Sequence, residues 1–222
     1  MLPFLVEHLT CYLMSPKGRG LSGDKADHSR ERQFEDVAAH VESIGEPAGV
    51  FGHSSGAFWA LGGAALSPAR FELSRCTSPR SRRWSRPPPT TSTRGFRAAV
   101  TDGRLADGVR ITTGEIIGLD CDELALFEAP GVAERVQAVL PLAVQELPEV
   151  NRPIEETLLE GLTMPVLVLQ RERSRIEFKN AARLLTEKLK DARVVEIPGA
   201  GHIGALTTAE PVARELVGFL RS

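Results

Sequence analysis

The sequence predicts an α/β fold in which a mostly parallel sheet is flanked by helices and covered by a short helical lid. One observation is the immediate succession of strand, tight turn and helix over Pro47–Leu66. A second is the alternation of strands and helices from Met164 to Leu220, which is typical of parallel strands joined by crossover helices. The third is the length, because 222 residues are enough for a single domain over 1–222 with a sizeable core.

Composition limits the classes of partner and the compartment. The chain is 42% hydrophobic and 25% charged, with a formal net charge of −2, a balance that favours neither nucleic acid nor a membrane surface as partner. Three widely spaced cysteines, without a CxxC pair, indicate neither a disulfide framework nor a zinc site. The N-terminus lacks the basic region of a signal peptide, and no apolar run could cross a bilayer, so we expect a cytoplasmic protein.

The chain begins with a predicted strand, loop and helix. Leu9–Met14 is apolar with β-forming residues and is predicted to be a buried strand. The glycine-rich segment Ser15–Asp24 lacks the ending of a phosphate-binding P-loop, which favours a tight connection instead. His28–Ile44 is predicted to be a helix with Ser29 as its cap, because apolar residues recur at helical spacing.

A pentapeptide after the apolar run Ala48–Phe51 fits the pattern Gly-x-Ser-x-Gly of a nucleophile elbow. Such a turn holds the central Ser54 in a strained backbone conformation, and the N–H of Ser55 at the start of the following helix is placed to donate to an oxyanion. We expect a side chain at Gly52 or Gly56 to collide with the neighbouring strand and helix. The alternative is a Gly/Ser-rich turn that only satisfies backbone geometry. The elbow residues are Gly52, His53, Ser54, Ser55 and Gly56.

Ser67–Arg97 has an abrupt change of composition towards Arg, Ser, Thr and Pro. We expect this segment to be irregular, and Pro87–Pro89 to exclude regular structure locally. Three interpretations stay open: a solvated flexible insertion, an RNA-binding segment with Trp84 available for stacking, and an out-of-frame translation of a GC-rich gene.

Residues 98–160 are predicted to form a helical lid that would supply the apolar wall of a substrate pocket. Thr113–Phe127 suggests two short helices, and Val132–Gln145 a helix broken by Pro141. The acidic residues of the lid are interpreted as helix caps and solvated positions. They are Asp120, Asp122 and Glu123.

The C-terminal third has the clearest pattern, in which strands and amphipathic helices alternate with polar loops between them. In chain order we predict a strand at Met164–Gln170, a loop at Arg171–Ser174, a helix at Ile176–Leu189, a strand at Ala192–Ile197, a loop at Pro198–His202 and a helix at Thr208–Leu220.

The order of elbow, lid, strand with polar loop, strand with Gly-x-Gly-His and final helix resembles the α/β-hydrolase superfamily, and its small bacterial esterase-like members most of all. The segments that carry the resemblance are GRGLSG, GHSSG, MPVLVLQ and ARVVEIPGAGH. The resemblance implies that Ser54 is the nucleophile and His202 the catalytic histidine, with no cofactor and no metal. It also implies a chain truncated at its N-terminus, because only eight residues precede the first strand.

Three departures from the family pattern affect the site. The loop that normally gives a second oxyanion donor has no source in this sequence. The position of the triad acid is taken by Arg173, so Glu172 is the candidate partner of the histidine, against the alternative of a surface residue paired with Arg171 or Arg175. The strand after the elbow helix falls within the Arg/Pro-rich segment, which predicts a gap in the sheet.

Two functions follow from this sequence. The first is a serine hydrolase that cleaves a small carboxylic ester through an acyl-enzyme on Ser54, with His202 and Glu172 completing the triad. The second is a catalytically impaired α/β-hydrolase-like protein that acts as a binding module. An exposed sheet edge would favour a homodimer by edge pairing.

Overall fold

A parallel sheet forms the centre of the chain. The computed structural model describes residues 1–77 and 90–221. Within them four parallel strands lie side by side in the order in which they follow along the chain, and this confirms the predicted α/β class. The strands are β1 (Ala48–His53), β2 (Phe71–Thr77), β3 (Val166–Arg171) and β4 (Ala192–Ile197).

Helices connect and cover the strands. A 3₁₀ turn at Pro68–Arg70 precedes β2, and a π-helix at Ile111–Ile117 directly follows the helix that ends at Arg110. No helix in the described ranges combines the length and apolar character that crossing a membrane requires. The α-helices are α1 (Leu2–Val6), α2 (Arg30–Ile44), α3 (Ser55–Leu66), α4 (Thr90–Thr101), α5 (Leu105–Arg110), α6 (Cys121–Glu128), α7 (Val132–Val150), α8 (Glu156–Glu160), α9 (Ile176–Lys188), α10 (Gly204–Thr207) and α11 (Ala209–Leu220).

Both faces of β3 are buried. Val166 and Val168 pack into the cluster that contains residues of α2, α3 and α9, whereas Leu167 and Leu169 pack into the cluster that contains α1 and α11. All four side chains are at most 1% exposed. Burial on both faces explains why the strand is a continuous apolar run. Each of these side chains stabilises the fold by about 1.5–3 kcal/mol.

The strand β2 lies within the segment predicted to be irregular. It pairs with β1 from Phe71 to Thr77, and with β3 at Ser74–Cys76, so the predicted gap in the sheet is wrong. The reason is tertiary: β1 and β3 both offer backbone groups that need partners, and pairing with them outweighs a weak local strand preference. Trp84 and Pro87–Pro89 lie outside the described residues.

The predicted strand Leu9–Met14 does not form. The segment has no regular hydrogen bonding, and Tyr12 and Leu13 are 53% and 73% exposed. A strand requires a partner for its backbone groups, and this segment pairs with none of the described strands. The local preference of the sequence is therefore not realised.

A cavity of about 590 Å³ lies between this N-terminal segment and the outer edge of β1. Its further walls come from Val37 and Val41 of α2 and from Leu216 and Leu220 of α11. Among the described strands β1 is the end of the sheet on this side. The strand that leads into Ser54 therefore pairs with β2 on one side and borders an apolar cavity on the other, where the structure describes no further strand.

The region of the predicted lid is helical and has its own small core. Phe96, Ile111 and Leu140 are buried together there with other apolar residues. The predicted break at Pro141 is wrong, because α7 continues through Pro141 and Pro148. Proline removes a helical hydrogen bond, but Leu140 and its neighbour Leu142 are both buried, and this packing holds the helix on both sides of the ring.

Candidate functional site

Three loops meet at the carboxyl edge of the sheet, because parallel strands all end there. Ser54 follows β1, the segment 172–175 follows β3, and His202 follows β4. The last two loops are joined through their backbones, since Glu172 N donates to Ile197 O at 3.2 Å and Arg173 N donates to Ala200 O at 3.1 Å. The predicted strand–loop order therefore brings the candidate residues to one edge.

The backbone at Ser54 is strained. Its φ is 55° and its ψ is −120°, and in the described ranges it is the one non-glycine residue with positive φ. A side chain in this region of φ/ψ space costs about 1–3 kcal/mol. This geometry is what a nucleophile elbow requires, because the sharp turn raises the serine above the edge of the sheet.

The two elbow glycines differ in what they require. A Cβ on Gly52 would lie 2.2 Å from Gly56 O, so the turn closes only with glycine there. A Cβ on Gly56 would meet no atom within 4 Å, so the expected collision at Gly56 is wrong. What matters at position 56 is the backbone, which approaches Gly52 closely; the space around Gly56 would accommodate a side chain.

The N-terminus of α3 provides a donor beside Ser54. The helix begins at Ser55 with Ser54 as its N-cap residue. The N–H groups of the first helical turn have no acceptor inside the helix. The partial positive charge of this helix end favours an anion at the position of the serine oxygen.

His53 joins the elbow to the loop of the second histidine. Its Nε2 lies 2.7 Å from the carbonyl oxygen of His202, and because a carbonyl only accepts, Nε2 carries a proton. The two rings lie edge to face with centroids 5.3 Å apart. Burial lowers the pKa of His53 to about 4, so the ring is neutral near pH 7.

His202 is buried, and a cation faces one of its ring nitrogens. Arg171 Nη1 lies 3.2 Å from His202 Nδ1 and also donates to His202 O at 2.9 Å. A guanidinium has donors only, so Nδ1 must accept and the neutral ring carries its proton on Nε2. A catalytic triad needs the opposite arrangement, in which an acid accepts from Nδ1 and leaves Nε2 free to take a proton.

Arg171 was not identified from the sequence as a residue of the site. It ends β3, is only 3% exposed, and places its guanidinium carbon 4.9 Å from the centroid of the Phe178 ring. Phe178 packs in turn against His202, with centroids 5.2 Å apart. Burial lowers the pKa of Arg171 to about 10. The available signal was an arginine at the end of a strand that opens with four buried apolar residues, a position at which a charged side chain is unusual.

The other predicted residues of this loop have different partners. Glu172 accepts a hydrogen bond from Gly199 N at 2.7 Å, which neither supports its assignment as the triad acid nor matches the alternative pairing with Arg171 or Arg175. Arg173 pairs with Asp120 at 3.1 Å on the surface.

Glu123 connects the lid to the histidine loop. The predicted cap is present, since Asp120 accepts from Glu123 N and Glu123 accepts from Asp120 N in a reciprocal capping box. Glu123 is also 2% exposed, and its Oε1 accepts from Ile203 N at 2.6 Å. Its carboxylate lies against Gly201, where a Cβ would come within 2.4 Å of Oε1. The sequence indicated the cap but not this second contact.

No cluster of three or more His, Cys, Asp or Glu side chains suited to a metal ion occurs in the part of the chain that the structure describes. The chemistry that the arrangement can carry is nucleophilic: a serine on a strained turn, a helix N-terminus beside it and a histidine on the adjacent loop.

The chain is similar to one family along nearly its whole length. Residues 1–215 match the sequence model described as the alpha/beta hydrolase family. No curated protein matches the chain.

Several solved structures share its fold. An alpha/beta hydrolase from Sphaerobacter thermophilus DSM 20745 is 26% identical with a TM-score of 0.74, over 92% of this chain and 79% of that one. An alpha/beta hydrolase enzyme from a Medee basin deep-sea metagenome library is 18% identical with a TM-score of 0.77, over 94% and 78%. A thermophilic esterase from Thermogutta terrifontis is 23% identical with a TM-score of 0.67, over 93% and 77%.

Proposed function

Because the chain belongs to the alpha/beta hydrolase family, we propose that it is a serine hydrolase acting on a small carboxylic ester, with a turnover that Arg171 holds low. Ser54 is the nucleophile and His202 its proton acceptor. The observation that carries the proposal is the positive φ of Ser54 at the N-terminus of a helix, because a fold keeps such strain where a function needs it.

The reaction follows from these groups. For attack, the neutral His202 ring must first carry its proton on Nδ1 instead of Nε2, which gives up the contact with Arg171 Nη1. Ser54 Oγ then attacks the ester carbonyl as its proton passes to the freed Nε2, and the Ser55 N–H at the helix N-terminus stabilises the oxyanion. The protonated histidine then gives its proton to the leaving alcohol, and the acyl group stays on Ser54. Water attacks this acyl-enzyme, with the same histidine taking its proton, and releases the acid.

Arg171 opposes the first step in two ways. It holds the proton of the neutral His202 ring on Nε2, the nitrogen that must accept the proton of Ser54. Its positive charge also disfavours the imidazolium that forms during attack. In a serine protease, a triad that holds the histidine in the wrong tautomer loses about 10⁴-fold in turnover. We therefore expect acylation to be slow and detectable with reactive esters or phosphonates only.

Covalent labelling with a fluorophosphonate probe tests the proposal. Wild type should be labelled at Ser54, and Ser54→Ala should not be labelled. Ser55→Ala is the matched control, because it removes the adjacent hydroxyl and keeps the backbone N–H, so it should be labelled like wild type. A folded wild-type protein without label, as judged by circular dichroism and peptide mass spectrometry, would overturn the proposal.

The second candidate function, a binding module of the same fold, is favoured by the contact between Arg171 and His202 Nδ1. The variant Arg171→Met separates the two candidates. If the serine is a nucleophile restrained by the guanidinium, removing that donor should speed labelling at least tenfold, within the limit of about 10⁴ set by the tautomer effect. A labelling rate of zero in both proteins would favour the binding module.

A further inference from the structure

The guanidinium of Arg171 is a buried cation. Within residues 1–77 and 90–221 no carboxylate lies within 4 Å of it, whereas Arg173 and Arg175 each have a carboxylate partner. Its Nη1 donates to His202 and its Nε lies 3.2 Å from Ser174 Oγ. Its Nη2 is buried, and the described residues give it no acceptor. A buried charge without a counter-ion and a buried donor without an acceptor both destabilise the fold, because neither regains inside the protein the interactions with water that it lost.

A small cavity adjoins this guanidinium. Its volume of about 10 Å³ corresponds to one water-sized guest. Arg171 and His202 both line it, together with two further arginines and the residues around the N-terminus of α9. The two further arginines are Arg173 and Arg175, and Ser174 and Phe178 line the cavity from the start of α9.

The carboxylates near this cavity are already bound by other groups. Asp120 lies 3.1 Å from Arg173, and Glu177 lies 3.4 Å from Arg175. Glu123 accepts from the backbone N–H groups of Ile203 and Asp120. These acids reduce the positive potential around the cavity but leave the Nη2 donor of Arg171 without an acceptor.

We propose that this cavity binds one small monovalent anion of the size of chloride, with Arg171 Nη2 as its principal donor. The anion supplies the missing counter-charge and the missing acceptor together. The first turn of α9, which begins at Ile176, adds the favourable field of a helix N-terminus. The cavity is too small for phosphate or sulfate, which leaves a single-atom anion, a halide, as the class of ligand.

Anomalous diffraction from crystals of the wild-type chain in sodium bromide is the direct test. A bromide peak within hydrogen-bonding distance of Arg171 Nη2 is the expected result. Bromide on exposed arginines only, with the cavity empty or filled by water, would overturn the proposal. The result does not depend on ester hydrolysis, since bromide at Arg171 would stand even if Ser54 failed to react.

Thermal unfolding gives a second readout in solution. At matched ionic strength, chloride or bromide should raise the Tm of wild type above that in sodium gluconate, and the increase should saturate with concentration. The increase should be absent in Arg171→Met and kept in Arg183→Met, whose guanidinium is exposed and pairs with Glu187 on α9. If Arg171→Met fails to fold, the presence or absence of the bromide peak in crystals of wild type decides whether the proposal stands. Equal Tm values in all salts would contradict the proposal.

Discussion

At the scale of the residue, His53 makes the stability of the protein depend on pH. Burial holds its pKa near 4, whereas a histidine in the unfolded chain titrates near 6.5. Between these values the unfolded state binds the proton and the folded state does not. The free energy of unfolding therefore falls as the pH drops from about 6.5 to about 4, by roughly 3 kcal/mol in total.

Urea denaturation at pH 7 and pH 5 measures this effect. Between pH 7 and pH 5 we expect the free energy of unfolding of wild type to fall by about 2 kcal/mol more than that of His53→Gln. Glutamine keeps an N–H donor for His202 O and does not titrate. His8→Gln is the control, since His8 is exposed and its replacement should leave the difference unchanged. Identical pH dependence in wild type and His53→Gln would show that His53 is not responsible.

At the scale of the element, Glu123 makes the position of the histidine loop depend on α6. In Glu123→Gln the new amide group faces two backbone N–H donors, and only one oxygen remains to accept from them. Leaving one donor without an acceptor should cost about 1–3 kcal/mol in stability. Asp122→Asn, one residue earlier and 91% exposed at its side chain, should change stability by less than about 0.5 kcal/mol.

Denaturation curves of both variants test this prediction. The backbone amide signal of Ile203 in nitrogen-15 spectra shows whether the change in stability arises at the contact between Glu123 and the histidine loop. The signal should shift in Glu123→Gln and stay in place in Asp122→Asn. Equal stability of the two variants would mean that the contact between Glu123 and the loop contributes nothing.

The elements that the sequence predicted correctly are those whose pattern is local. β4 has the predicted bounds, and β3 and α2 differ from them by one or two residues at their ends, because periodicity and burial on known faces determine them. Two predictions were wrong in opposite directions: β2 forms where no strand was predicted, and Leu9–Met14 forms no strand where one was predicted. In both cases the presence or absence of a strand to pair with decided the outcome. Of the site, the serine turn was predictable from its motif, whereas the contact of Arg171 with His202 depends on the pairing of β3 with β4.

At the scale of the whole molecule, the open edge of β1 predicts self-association. Unpaired strand edges are templates for pairing with another chain, and the exposed apolar side chain of Leu13 lies on the N-terminal segment that lines the cavity beside β1. We expect a concentration-dependent homodimer in light scattering. Leu13→Lys should weaken it, and Leu206→Lys should not, although the two leucines are equally exposed at 73% and 72%. A monomer at all concentrations would refute edge pairing.

The cavity beside β1 also makes this strand easier to open than the buried β3. Amide hydrogens exchange with solvent through local openings, whose free energy is small where apolar contacts are few and large in a packed core. The amides of Val166–Leu169, between two strands and two apolar clusters, should exchange with deuterium only on global unfolding. Those of Ala48–Phe51, which border the cavity, should exchange through local openings, so that the native state releases the strand supporting Ser54 more readily than β3.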